Sequence, residues 1–330
     1  MKHINVSLFV PHLGCPHTCV FCNQKTISGQ TAGLKPQDIV SACETAAKCP
    51  HDIRDSEIAF FGGSFTAIDR ETMLSCLQTA SPYVGTQFGG IRVSTRPDCI
   101  DGEVLSLLKG YGVTAIELGA QSMREAVLVK NERGHTPEDT VKAAALIREY
   151  GFSLGLQMMT GLYGSTPEDD RYTAECFIKI KPDTVRIYPT VVLENTRLAE
   201  LYRAGEYTPY GFEETVSLCA ELLLRFTDEH IRVIRLGLHS GGNVEEGYVA
   251  GVYHPAFREL CENEIFRKKA EALLTSLPEG SYTLDVPMGA VSKMTGQKKS
   301  NLRYFADKGY LFSVQEAPEL SGYTVRIKDR

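Results

Sequence analysis

Three cysteines fall within eight residues of the stretch VPHLGCPHTCVFCNQ, Val10 to Gln24: Cys15, Cys19 and Cys22, in a C-x3-C-x2-C pattern. Thiolates this close in one loop can converge on a single metal centre, and cysteine thiolates hold zinc and iron–sulfur clusters. A closed zinc site or a fully ligated cluster takes four protein ligands. Here the local count stops at three, and no second Cys-x2-Cys pair exists elsewhere to complete a zinc ribbon. The spacing favours an iron–sulfur site whose fourth position is left for a ligand that is not protein. Two other readings stay open: a zinc site finished by His17 or a distant cysteine such as Cys49, and three ordinary buried thiols. Gly14 and Pro16 favour a loop here, and Phe21 could shield one face of a cluster from water.

The elements that must position this loop follow from apolar periodicity. Ile4 to Val10 reads as a strand running straight into the cysteines. Further strands are predicted at Ile58–Phe61, Ile91–Thr95, Val113–Leu118, Phe152–Met158, Thr184–Tyr188 and Ile231–Leu238. Helices are predicted between them: from Pro36, where proline suits the first helical position; from Asp101, as an N-cap; from Thr136 with Pro137 and Asp139; over Pro167–Ile180; and over Phe212–His230. Short strands alternating with helices of ten or more residues argue an α/β fold of parallel units joined by right-handed crossovers. At least six such strands can close into a barrel or stay open, with ligands at the C-terminal rim. After about Gly241 the character changes. A helix over Pro255–Leu277, a strand-like SYTLDV and a hairpin ending in TVRIK read as a smaller α+β lid or docking module. The expected division is a barrel over residues 1–240 and this module over 241–330.

Bulk properties bound the function. The chain has 330 residues, 43% hydrophobic and 23% charged, as an ordinary globular protein does. No apolar run reaches eighteen residues, so no membrane span is expected. The N-terminal stretch reads as a strand rather than a secretory leader. Ten cysteines without a leader suggest a reducing cytoplasm. Seven of them (Cys43, Cys49, Cys76, Cys99, Cys176, Cys219 and Cys261) are scattered singly and read as small core residues. The net charge of −6 argues against nucleic-acid binding by the whole chain, but the charge is uneven. Residues 267–330 hold 11 Lys and Arg against 7 Asp and Glu, a local charge of +4 on a body of −10.

The motif Gly62-Gly63-Ser64-Phe65 ends the second strand, where two glycines let the backbone approach a ligand and offer it peptide groups. With it, the chain resembles the radical S-adenosylmethionine (SAM) superfamily: C-x3-C-x2-C after strand 1, an aromatic before the third cysteine, and a GG motif after strand 2. FFGGSFTAI, STRPD, ELGAQS, NERGHT, GLQMMTGLYG and VRIYPT resemble the branch holding the elongator subunit 3 radical domain and oxygen-independent coproporphyrinogen III oxidase. This likeness runs over roughly residues 4 to 238 and implies a partial (β/α)6 radical SAM barrel.

The resemblance also implies cofactors and roles. Cys15, Cys19 and Cys22 would ligate a [4Fe-4S] cluster, with SAM chelating the fourth iron. Gly62 and Gly63, with Ser64 beside them, would meet the SAM amino group; Arg96 would lie near the ribose and methionine. Gln121 would contact SAM, Arg133 would pair with its carboxylate, Gln157 would reach the ribose, and Tyr188 would line the rim of the last strand. A flavodoxin- or ferredoxin-like electron donor is implied as a partner. Elongator subunit 3 proteins also carry an acetyltransferase domain, and no acetyl-CoA site is visible in this sequence. With the basic segment Lys293, Lys298, Lys299 and Arg303, the resemblance leads to an expected RNA substrate such as tRNA. The competing expectations are a tetrapyrrole-like small molecule held near His239, Tyr253 and His254, and a non-catalytic cluster-bearing sensor.

Overall fold

The structure, a computed structural model, describes residues 5–10, 15, 18–23, 33–49, 53–238 and 242–328. The strands, in chain order, are β1 (Asn5–Val10), β2 (Glu57–Gly62), β3 (Gly90–Thr95), β4 (Val113–Gln121), β5 (Ser153–Thr160), β6 (Thr184–Pro189), β7 (Val191–Leu193), β8 (Arg232–Leu236), β9 (Tyr248–Gly251), β10 (Gly280–Val286), β11 (Tyr310–Glu316) and β12 (Arg326–Ile327). Seven of them form one sheet in the order β1-β2-β3-β4-β5-β6-β8, every neighbour parallel. Among the described residues β1 and β8 do not pair, so the sheet is an open barrel with two edges. The expected parallel α/β architecture is present, with one strand beyond the minimum of six.

The helices form where their end signals stand. Pro36–Ala47 starts on proline, and the Asp101 side chain accepts from Val104 N to cap Gly102–Gly110. Thr136 and Asp139 form a capping box at the head of Pro137–Glu149, as Thr166 and Asp169 do for Pro167–Ile180. These helices cover one face of the sheet. Val6, Leu8, Ile58, Phe60, Ile91, Val93, Ile116, Leu118, Leu154, Leu156, Val185 and Ile187 are the strand residues turned towards them, all buried in the main core. The alternation of side chains along a strand sends their neighbours to the other face. There the chain places Phe61, Arg92, Ser94, Glu117, Gln157, Arg186, Tyr188 and Arg235. The sheet is thus apolar towards its helices and charged towards the barrel interior.

The helix Phe257–Leu274 joins two cores. Phe257, Cys261 and Ile265 sit in the main core, while Phe266, Ala270 and Leu274 anchor a second one with Leu284, Val286, Met294 and Phe305. The C-terminal sheet corrects the expected hairpin. β10 is the central strand, parallel to β11 and antiparallel to β12, and β11 and β12 are not neighbours. The crossover from β10 to β11 runs through the helices Val291–Thr295 and Ser300–Ala306, which is why the pair is parallel. Four scattered cysteines (Cys43, Cys76, Cys219 and Cys261) are buried as expected, while Cys49, Cys99 and Cys176 are half-buried. Among the described residues no helix is long and apolar enough to cross a membrane.

Candidate active site

The cysteine loop is held from outside the main sheet. Cys22 N donates to Cys19 O at 3.0 Å, closing a turn. Between them Val20 donates to Asn131 O at 3.2 Å and accepts from Leu198 N at 2.8 Å. The Val20 side chain is buried with Val192, Leu198, Leu201 and Tyr207. The segment carrying β7 and the helix Arg197–Arg203 therefore acts as the clamp for the loop. Its apolar residues are too few for the periodicity to mark it as more than a connection.

Cys15, Cys19, Phe21, Cys22, Gly62, Gly63, Ser64, Ser94, Thr95, Arg96, Gly119, Gln121, Arg133 and Gln157 line one cavity of about 130 Å³ at the C-terminal ends of β2 to β5. Every residue read from the sequence as a cluster or SAM contact lines it except Tyr188. Tyr188 stands at the C-terminal end of β6, opposite Met159, and its hydroxyl accepts from Arg186 Nη1 at 3.4 Å. Of the other candidates, His239 lies outside the described residues. His254 Nδ1 accepts from Ala256 N at 3.1 Å ahead of the helix Phe257–Leu274, and Tyr253 lies 3.5 Å from Glu245.

Two backbone features shape the cavity. Gly62 has φ of +106°, open only to glycine at low cost, and Gly63 N donates to Val10 O at 3.0 Å, tying the GG turn to β1. Gln121 has φ of +65°, a costly conformation for a residue with a Cβ, at the point where the β4–β5 register shifts. A side chain at Gly119 would meet Gln121 Nε2 at 3.1 Å and Arg133 Nη2 at 3.6 Å, so this glycine leaves the room they fill.

The polar groups divide into those that hold the wall and those turned inward. Arg96 is locked by a bidentate pair to Asp98 at 2.9 and 2.8 Å and donates to Arg133 O at 2.5 Å. Ser64 Oγ lies 2.8 Å from Thr95 Oγ1 and accepts from Arg96 N. Arg133 is buried and donates through Nη1 to Cys19 Sγ at 2.9 Å and through Nη2 to Gly119 O at 2.6 Å. Gln157 donates to Glu117 Oε2 at 3.0 Å. His135, on the buried side of this wall, has its pKa pushed down to about 4 by burial and then by Arg133, so its imidazole is neutral.

The site is tested against a sulfur-ligated cluster and SAM by its unmet groups. Gln121 Oε1, Arg96 Nη1 and Arg133 Nε are buried without a hydrogen-bond partner among the described residues. Unsatisfied buried groups are costly, and three of them on residues that line one cavity fit a polar ligand seated there. Two guanidiniums line the cavity and no carboxylate does, which suits thiolates and an amino-acid carboxylate. Among the described residues no three His, Cys, Asp or Glu side chains stand close enough to hold a single metal ion. A cluster spreads its thiolates over several irons, so it asks for a wider triangle than one ion does. The residues present fit the cluster and SAM.

Residues 9–176 match the sequence model of the radical SAM superfamily, and residues 182–267 match that of the Radical SAM C-terminal domain. The chain belongs to the radical SAM superfamily. It is an enzyme of this superfamily, whose cofactors are a [4Fe-4S] cluster and SAM. The radical SAM chain is 31% identical over 246 residues to a tRNA uridine(34) acetyltransferase of Methanocaldococcus jannaschii, covering 62% of this chain and 45% of that protein. It is 29% identical over 194 residues to Elongator complex protein 3 of Homo sapiens, covering 52% of this chain and 36% of the relative. It spans less than half the length of either. The solved archaeal Elp3 of Methanocaldococcus infernus, with an N-terminal deletion, superposes with a TM-score of 0.62 at 23% identity. That match covers 80% of this chain and 64% of the other, and shows a shared fold.

The structure also brings in residues to which the sequence reading gave no role. Ser94, Thr95 and Gly119 line the cavity, and Asp98 and Glu117 hold its arginine and glutamine. All five lie inside the STRPD and ELGAQS segments, so the signal was their company in motifs at strand ends.

Proposed function

We propose that this chain is a radical SAM enzyme that modifies an RNA, with a tRNA-like molecule as substrate. The observation that carries the reading is the convergence of Cys15, Cys19, Cys22, Gln121 and Arg133 on one cavity at the strand ends. In this reading the three cysteines hold the cluster, and the Gly62-Gly63 backbone meets the amino group of SAM. Arg133, fixed through Gly119 O, presents its remaining guanidinium edge to the carboxylate of SAM. Gln121 supplies an acceptor, and Gln157 stands towards the barrel interior. When bound, the cluster and SAM would supply the radical chemistry that removes a hydrogen atom from the substrate. The chain's own task is to hold these groups in place and keep water from them. A flavodoxin- or ferredoxin-like protein provides the electron.

The RNA part rests on the activity for which the relatives are named and on charge. Lys298, Lys299 and Arg303 are exposed and enter no ion pair among the described residues, whereas Lys293 pairs with Glu262 at 2.9 Å. Three open cations on one module offer phosphate contacts. The test is anaerobic reconstitution with iron and sulfide, then dithionite, SAM and tRNA. 5′-Deoxyadenosine should form, and with deuterated RNA the label should appear in it. Formation of 5′-deoxyadenosine without label from any RNA rejects RNA as the substrate, and its absence from reconstituted protein rejects the radical chemistry.

A further inference from the structure

The helix-free face of the main sheet carries more positive charge than its carboxylates neutralise. Arg92 Nε donates to Glu57 at 2.6 Å and its Nη1 to Glu117 at 3.2 Å. Arg186 Nη2 donates to Glu117 Oε1 at 2.9 Å, with Nε 2.6 Å from the other oxygen. Both carboxylates are used by these two arginines, and Arg235 is left over. It is the strand partner of Arg186, so two guanidinium side chains start side by side on neighbouring strands. Like charges in that arrangement repel. The contact Arg235 makes is a hydrogen bond from Nε to Gly237 O at 2.9 Å. Among the described residues it has no carboxylate partner, and its two terminal nitrogens have no acceptor.

Tyr188 lies in the same patch. Its oxygen accepts from Arg186 Nη1, and among the described residues its own hydrogen has no acceptor. The Phe61 ring packs 4.8 Å from the Arg186 guanidinium and holds that side chain down. Burial depresses the pKa of Arg235; Tyr188 opposes the shift and Arg186 adds to it. A half-buried cation without a counter-charge is destabilising, and a ligand anion would relieve it.

The patch adjoins the cofactor cavity. Gln157, which lines the cavity, is the strand partner of Arg186, and Arg186 is that of Arg235. Two strand spacings, about 10 Å, therefore separate Arg235 from the cavity wall. A group held at Arg235 would place the rest of its molecule against the reacting centre. A planar fork with a hydroxyl beside it matches the several oxygens of a phosphate.

We propose that Arg235 and Tyr188 form an anion subsite inside the barrel that takes a phosphate group of the substrate nucleotide. The identity of the nucleotide rests on the RNA reading above; the subsite rests on Arg235 and on Tyr188 beside it. The probes are uridine 5′-monophosphate and uridine, titrated at low salt against the full chain with and without the reconstituted cluster. Wild type should bind the monophosphate at least about tenfold more tightly than uridine, and inorganic phosphate should compete. Arg235→Gln should weaken the monophosphate by about 10- to 100-fold and leave uridine unchanged. Tyr188→Phe should give a smaller loss in the same direction, and serves as the test if Arg235→Gln does not fold. Equal binding of the two probes by wild type, or a full monophosphate preference in the variants, overturns the proposal. An Arg235-dependent preference in a protein that binds no tRNA keeps the subsite and rejects RNA as its source.

Discussion

Replacing Arg133 by lysine exchanges a planar fork for a point charge at the same place, and the geometry sets the size of the effect. The arginine uses two different nitrogens, one on Cys19 Sγ at 2.9 Å and one on Gly119 O at 2.6 Å, and its Nε is buried without a partner. A single ammonium cannot occupy both nitrogen positions and also offer the Nε edge. At least one charged hydrogen bond is lost, about 1.5–3 kcal/mol. Converted to affinity, Arg133→Lys should weaken SAM binding by about 10- to 150-fold. Arg133→Met, which leaves Gly119 O without its donor and removes the charge, should fall at or beyond the upper end. The assay is equilibrium binding of SAM to anaerobically reconstituted protein whose iron content has first been matched to wild type. Urea midpoints separate a binding loss from unfolding. Wild-type SAM affinity in Arg133→Met at full iron content refutes the role given to this residue.

Three further outcomes follow from the same structure. Gly119→Ala puts a methyl group 3.1 Å from Gln121 Nε2, where the strained backbone of Gln121 leaves little slack, so SAM binding should drop by roughly 5- to 30-fold, the equivalent of about 1–2 kcal/mol of overpacking. Glu117→Gln leaves Arg92 and Arg186 buried around a neutral amide; the loss should be about 3–5 kcal/mol, read as a lower urea midpoint with unchanged slope. Asp170 has its pKa raised to about 7, chiefly by burial, although it accepts from Gly161 N and Ser165 Oγ. A raised carboxyl pKa contributes stability that is complete below about pH 4 and lost as pH rises through 7, at most about 4 kcal/mol. Measured by denaturant titration from pH 4 to 8, Asp170→Asn should show a flatter fall than wild type, and an equally steep one removes the assignment.

Much of this molecule was legible before its fold. The caps at Asp101 and Thr136 act within four residues, so they mark helix starts in any tertiary setting. The alternation of strands and helices restricts the sheet to parallel pairing with crossovers. The α+β character of the C-terminal module is legible in the sequence, but the hairpin is not, because a short run such as TVRIK carries no record of which strand it pairs with. β12 lies against β10, some forty residues away, rather than against the preceding β11. The clamp on the cysteine loop is not legible for a related reason: Leu198 N donates to Val20 O across 178 positions, and no local pattern encodes that contact.

The sequence by itself determined the kind of chemistry on offer, because three cysteines in eight residues must lie near one another in space. Local spacing also determined where most helices start, since a cap and its helix are one stretch of chain. The tertiary structure alone decided which polar side chains meet. Arg133 reaches Cys19 across 114 positions, and Arg186 stands beside Arg235 through the pairing of β6 with β8. Strand order and register set those meetings, and they are properties of the whole sheet that no single segment carries.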